Sequence, residues 1–105
     1  MHPIDRAELD AQTGGDADLA REVLALFAGQ CRSILPRLAD PSQPQAQRAD
    51  LAHTLKGSAA GVGAVRVRAL ADAAEARLRA GAEDLDLAEL SQAVAAALAE
   101  IARVP

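Results

Sequence analysis

The chain has 105 residues, a formal net charge of −4 and half of its residues in the apolar set. This size fits one core, so we expect a single domain over residues 1–105, with an N-terminal segment 1–15 and a helical bundle over 16–103. Phe27 is the only aromatic residue and alanine fills 27 positions. The core must therefore consist of small and branched aliphatic side chains in closely packed helices. An all-β fold is disfavoured, because valine and isoleucine are few and no alternating apolar run of useful length occurs.

Charge and terminal sequence restrict the partners and the compartment. The acidic residues are spread along the chain and no basic run occurs, which argues against binding to nucleic acid. No apolar stretch resembles a signal peptide or approaches the roughly 20 residues that span a bilayer, so we expect a cytoplasmic protein without membrane contact. Cys31 is the only cysteine, and we expect it to be a small core residue and not a nucleophile.

Four long amphipathic helices follow one another along the chain. Asp16 is a candidate N-cap for the first, whose apolar positions run from Leu19 to Leu38 with an interruption at Pro36. The second runs from about residue 44 to about 62 and ends near two glycines. The third and fourth are marked by apolar positions at helical spacing. These positions are Val67, Leu70, Ala71, Ala74 and Leu78 for the third helix, and Leu87, Leu90, Val94, Ala97, Leu98 and Ile101 for the fourth.

Short connections between such helices predict an all-α fold, an antiparallel up-down four-helix bundle. The sequence also allows a short extra helix near residues 5–9. On the first helix, the apolar positions Val23, Leu26, Phe27, Cys31, Ile34 and Leu38 follow helical spacing.

The second long helix presents a histidine away from its apolar stripe. That stripe consists of Ala49, Ala52, Leu55, Ala59 and Val62. His53 lies outside it and is surrounded on the helical wheel by small or short residues. Gly57, one turn further on, costs about 1 kcal/mol relative to alanine in a helix, and access to the imidazole ring is a reason to keep it.

Lys56, the only lysine, supplies a compact cation one turn from His53. A neutral imidazole is a competent nucleophile towards phosphorus near neutral pH, and an ammonium group can follow a phosphoryl group during its transfer. The sequence contains no phosphate-binding loop of the Walker type and is too short for a nucleotide-binding domain. A metal site is not expected either, because only Asp50 has useful spacing to His53. The phosphoryl donor and its metal must therefore come from a partner.

Residues 52–64, with the sequence AHTLKGSAAGVGA, closely resemble the signature of histidine-containing phosphotransfer (HPt) domains. The stretch from Thr13 to Phe27 also resembles the first bundle helix of that family. The resemblance implies that His53 is phosphorylated by the aspartyl phosphate of a response-regulator receiver domain and passes the group to another receiver. It further implies that Lys56 is the cation beside the phosphate and that Gly57 leaves clearance for the partner. The resemblance thus implies a phosphoryl carrier that is not itself an enzyme, with no cofactor of its own and with Mg²⁺ on the receiver.

Glu75 follows His53 by 22 residues, where related domains place a Gln or Glu that hydrogen-bonds the imidazole. A carboxylate at that place would hold the proton of Nδ1 and leave Nε2 free to attack. Glu75 could equally be a solvated residue paired with Arg79 at i+4, and the sequence leaves both interpretations open.

Two other functional classes remain open from the sequence. One is the phosphoacceptor domain of a chemotaxis-type or hybrid histidine kinase, in which a separate ATP-binding domain is the donor. The other is a non-catalytic helical adaptor in which His53 is never phosphorylated. As an HPt-like protein, the chain would have receiver domains and a hybrid sensor histidine kinase as partners, and we expect it to be a monomer.

Overall fold

A computed structural model describes residues 2–103, which contain five helices and no strand. The helices are α1 (Arg6–Thr13), α2 (Ala17–Ala39), α3 (Gln45–Val62), α4 (Val65–Arg79) and α5 (Ala88–Ile101). The prediction of an all-helical chain is confirmed. The short extra helix expected near residues 5–9 is present as α1.

The ends of the helices follow from local side-chain and backbone chemistry. The side chain of Asp16 accepts hydrogen bonds from the backbone N–H groups of Asp18 (3.0 Å) and Leu19 (3.1 Å), which confirms it as the N-cap of α2. Pro36 lies in the last turn of α2, and the helix continues through it to Ala39. Gly61 belongs to the last turn of α3, whereas Gly63 is the residue that ends this helix.

Gly63 also allows the N-terminal segment to approach the end of α3. Its φ of 74° lies in the left-handed region, which side chains with a Cβ rarely adopt. A Cβ at this position would lie 2.6 Å from the carbonyl oxygen of Asp5. The backbone N–H of Asp5 donates to the carbonyl oxygen of Gly63 at 2.8 Å, so the entry to α1 is fixed against the α3–α4 turn.

Helix α3 occupies the central place in the packing, since it contacts α1, α2 and α4. Helix α5 packs against α2 and α4. The apolar stripe predicted for α3 is buried in full, and Leu55 and Ala59 in it have no exposed surface. Alanine predominates where α3 faces α4, which brings the two helix axes close together.

One residue of the apolar pattern on α2 lies outside the core. Leu26 is 69% exposed, because the buried stripe of α2 runs through Leu24, Phe27, Cys31, Ile34 and Leu38 and Leu26 points away from it. Cys31 is a core residue as expected, and burial raises the pKa of its thiol to about 11. The thiol therefore stays protonated and unreactive.

A buried arginine connects the end of α2 to the start of α3. The Nε of Arg48 donates to the carbonyl oxygen of Leu38 at 2.8 Å, which satisfies one of the backbone acceptors that a helix leaves unpaired at its C-terminus. Only Gly63 and Ala64 separate α3 from α4. The Arg48 hydrogen bond fixes the start of α3 against the end of α2, and the short turn sets which face of α4 packs against α3. Across residues 2–103, no helix combines the length and apolar character needed to cross a membrane.

Candidate functional site

His53 projects from α3 on the side that faces α4 and solvent. Its side chain is 64% exposed. Nδ1 of the ring lies 3.1 Å from Oε2 and 3.2 Å from Oε1 of Glu75, which stands on α4. The ring is thus held at one nitrogen and otherwise open to an approaching group.

Glu75, the hydrogen-bond partner of Nδ1, determines which ring nitrogen of His53 carries the proton. The pKa of Glu75 is lowered to about 2, so its carboxylate is ionised near neutral pH and can only accept hydrogen bonds. Nδ1 must then be the donor, and in the neutral imidazole the lone pair resides on Nε2. Within residues 2–103, no hydrogen bond to Nε2 is formed.

Glu75 is the buried centre of the site, with 8% of its surface exposed. The Nζ of Lys56 donates to Oε1 at 2.8 Å, and the Nε of Arg79 donates to Oε2 at 3.0 Å. The hydrogen bond from Lys56 is the main reason why the pKa of Glu75 is low, followed by those from Arg79 and His53, and together they outweigh the effect of burial. Glu75 therefore contacts His53 and also pairs with Arg79, as each interpretation of the sequence expects, but it is buried and not the solvated residue of the second interpretation.

Lys56 is bound between two carboxylates of α4. Besides Glu75, its Nζ donates to Oδ1 of Asp72 at 3.1 Å, and the side chain is 28% exposed. The hydrogen bonds to Glu75 and Asp72 raise the pKa of Lys56, so its side chain is a protonated ammonium group near neutral pH. The ammonium group and Nδ1 of His53 share Oε1 of Glu75, which places the cation beside the imidazole ring.

Gly57 leaves an open space next to the histidine. A Cβ at this position would have no heavy atom of another part of the protein within 4 Å. The packing of α3 therefore does not require a glycine here. The next residue, Ser58, uses its hydroxyl to bond the side chain of Gln30 on α2 and not the ring.

Asp50 and Asp72 complete an ion cluster that the sequence interpretation did not anticipate. The Nη2 of Arg79 lies 3.2 Å from Oδ1 of Asp50, one turn before His53 on α3. The cluster is thus formed by His53 with Asp50, Lys56, Asp72, Glu75 and Arg79. Charges at 72, 75 and 79 have the spacing of one helix face, a signal that could have identified the α4 side of the site. No group of three or more potential metal-ligating residues occurs within residues 2–103.

Within residues 2–103, the structure thus combines an all-helical fold with an exposed imidazole that contacts a buried carboxylate. The family model of the Hpt domain matches residues 22–104. Searches of curated proteins and of solved structures find no significant match. Because the match to the model covers most of the chain, the protein belongs to the Hpt domain family. Hpt domains act in histidine phosphotransfer within two-component phosphorelays, where they interact with receiver domains and kinases.

The ion cluster predicts how stability depends on pH. The pKa of Glu75 is about 2 in the folded protein against an ordinary value of 4.5, so its contribution to stability is present above pH 4.5 and is lost as the pH falls towards 2. We expect Glu75→Gln to lower the free energy of unfolding near neutral pH, and the difference from wild type to shrink through this window. Urea unfolding of both proteins, followed by circular dichroism at several pH values, measures this difference in the free energy of unfolding. A difference that does not change with pH would contradict the assignment.

Proposed function

We propose that His53 is the residue that carries the phosphoryl group, accepting it from the aspartyl phosphate of one receiver domain and passing it to the aspartate of another. The observation that supports this most strongly is the pairing of an exposed imidazole with an ionised, buried carboxylate at Nδ1. It leaves Nε2 as an unprotonated nucleophile that a partner can reach.

In the forward step, the lone pair of Nε2 attacks phosphorus while the bond from phosphorus to the aspartyl oxygen breaks. The receiver regains a free carboxylate, and the imidazole gains positive charge with its proton still on Nδ1. Glu75 accepts the hydrogen bond from that proton, so its negative charge stabilises the charged ring. Transfer onward reverses these bond changes on a second aspartate and restores the neutral imidazole.

Lys56 supplies positive charge where the phosphoryl group would sit. Its ammonium group is held by Glu75 and by the more exposed Asp72, whose side chain is 66% exposed. Exchange of the Asp72 contact for a phosphoryl oxygen would keep the contact to Glu75 and add a charge-assisted hydrogen bond to the transferred group. Lys56 would then donate hydrogen bonds to both the carboxylate of Glu75 and the phosphoryl group.

The receiver contributes the remaining chemistry. We place the Mg²⁺ on the receiver, beside its aspartate, where it would neutralise charge on the phosphoryl oxygens. This protein would then act as a phosphoryl carrier without an ATP site or catalytic machinery of its own. Gly57 would allow the surface of the receiver to approach the ring closely.

The helix arrangement, the oligomeric state and the compartment of the protein are also part of what we propose. Contacts from α2 to α3, α3 to α4, α4 to α5 and α5 back to α2 form a closed ring, and the connections are short. Both features support an antiparallel four-helix bundle in one domain over residues 1–105. We also propose a monomer in the cytoplasm, for which sedimentation equilibrium and cell fractionation are the tests.

The central test is phosphotransfer from a labelled receiver in the presence of magnesium. We expect wild type to take up the label and His53→Gln to take up none, because the glutamine offers no nucleophilic ring nitrogen. The matched control is His2→Gln, which removes the other histidine and should leave transfer unchanged. Equal label on wild type and His53→Gln would contradict the proposal. If only an ATP-bound kinase domain, and no receiver, phosphorylates His53, the kinase-domain alternative is correct.

The open space at Gly57 predicts a steric effect that can be separated from helix stability. Alanine and leucine both raise helix propensity over glycine, by up to about 1 kcal/mol, so neither variant should unfold α3. We expect Gly57→Ala to transfer at close to the wild-type rate and Gly57→Leu to be slower by about tenfold, corresponding to about 1.4 kcal/mol. Rapid-quench measurement of label transfer gives both rates. Equal rates for the leucine variant and wild type would contradict the clearance role.

A further inference from the structure

Arg79 connects the two helices that form the site. Its Nε donates to Oε2 of Glu75 at 3.0 Å, one turn back on α4, and its Nη2 lies 3.2 Å from Oδ1 of Asp50 on α3. The guanidinium group is planar and has donors in fixed directions, so two acceptors together determine its orientation. Arg79 is therefore held by one acceptor on each helix.

The two cations hold the carboxylate of Glu75 from opposite oxygens. Lys56 occupies Oε1 and Arg79 occupies Oε2, while Nδ1 of His53 is nearly equidistant from both oxygens, at 3.2 and 3.1 Å. A carboxylate bound at one oxygen alone can rotate about its last torsion angle, which is broad and poorly defined in energy. Contacts at both oxygens remove that freedom and keep the carboxylate directed at the ring.

Asp50 has a supporting role in the same arrangement. Its side chain is 74% exposed and the side chain of Arg79 is 48% exposed, so the ion pair between them is worth little to stability by itself. Its geometric effect is to orient the guanidinium group, and its charge offsets that of Arg79 next to the imidazole ring. Partners that orient a ligand or a catalytic group through a hydrogen bond commonly affect function more than stability.

From this geometry we propose that Arg79, oriented by Asp50, is a positioning residue that keeps the carboxylate of Glu75 on Nδ1 of His53 and so keeps Nε2 unprotonated. The inference rests on the proposed function in taking His53 as the reacting residue. The effect on the ring itself can be measured without any phosphotransfer.

The first test reads the tautomer of His53 by ¹⁵N NMR in the unphosphorylated protein with the imidazole in its neutral form. We expect wild type to show the proton on Nδ1, and Arg79→Ala to show an increased share of the form with the proton on Nε2. Asp50→Asn should shift the ring in the same direction by a smaller amount. The control is Arg77→Ala, which removes an arginine of the same helix that makes none of these contacts.

The second test measures the rate at which each variant accepts label from a phosphorylated receiver. We expect Arg79→Ala to be slower by about two- to fivefold, the effect of losing its partly exposed ion pairs to Glu75 and Asp50, and Arg77→Ala to match wild type. Circular dichroism checks that each variant folds. If Arg79→Ala does not fold, the tautomer and transfer rate of Asp50→Asn test the positioning role.

The combined outcomes decide between the alternatives. An unchanged tautomer in both Arg79→Ala and Asp50→Asn would overturn the positioning role, even if transfer slowed, since Arg79 would then act by contacting the partner. A shifted tautomer with slower transfer supports the role. A shifted tautomer in a protein whose wild type accepts no label would leave the positioning role intact and refute the proposed function.

Discussion

The buried carboxylate of Glu75 is the interaction on which the rest of the site depends. An ionised carboxylate in a protein interior is costly unless it is paired and hydrogen-bonded, and Glu75 meets both conditions through His53, Lys56 and Arg79. Three positively charged or proton-donating groups can share one carboxylate only if the two helices that carry them are close and correctly rotated. The site therefore requires a particular α3–α4 packing as well as particular side chains.

The alanine-rich composition meets that requirement. Small side chains such as Ala52, Ala59, Ala71 and Ala74 fill the buried faces of α3 and α4, so the helices can approach closely enough for side chains of ordinary length to bridge them. The two-residue connection at Gly63 sets the rotation of α4 relative to α3. Composition, turn geometry and the ion cluster are consistent with one another, and the imidazole of His53 is held without being covered.

Much of this could be predicted from the sequence, and the remainder depended on distances that the sequence does not contain. Periodicity identified the helices and the buried stripe of α3, and the spacing of His53, Lys56 and Gly57 indicated the exposed face. The apolar spacing of α2 includes Leu26, which is exposed, because spacing alone does not separate buried from exposed apolar positions and only packing decides between them. Asp50 and Asp72 were missed because salt bridges between helices depend on their relative rotation. For the same reason the sequence left two partners open for Glu75, and the structure shows that it has both.

In the proposed function, one nitrogen of one residue forms the bond to phosphorus. Glu75 holds Nδ1 of His53, so Nε2 is the ring nitrogen left for the proposed bond to phosphorus, and the ring is already exposed in this fold. The measurement that tests this most directly is heteronuclear ³¹P–¹⁵N NMR on protein that has been phosphorylated by a receiver domain. We expect a phosphoryl group coupled to Nε2 of His53. A phosphoryl group on Nδ1, or on any residue other than His53, would contradict it.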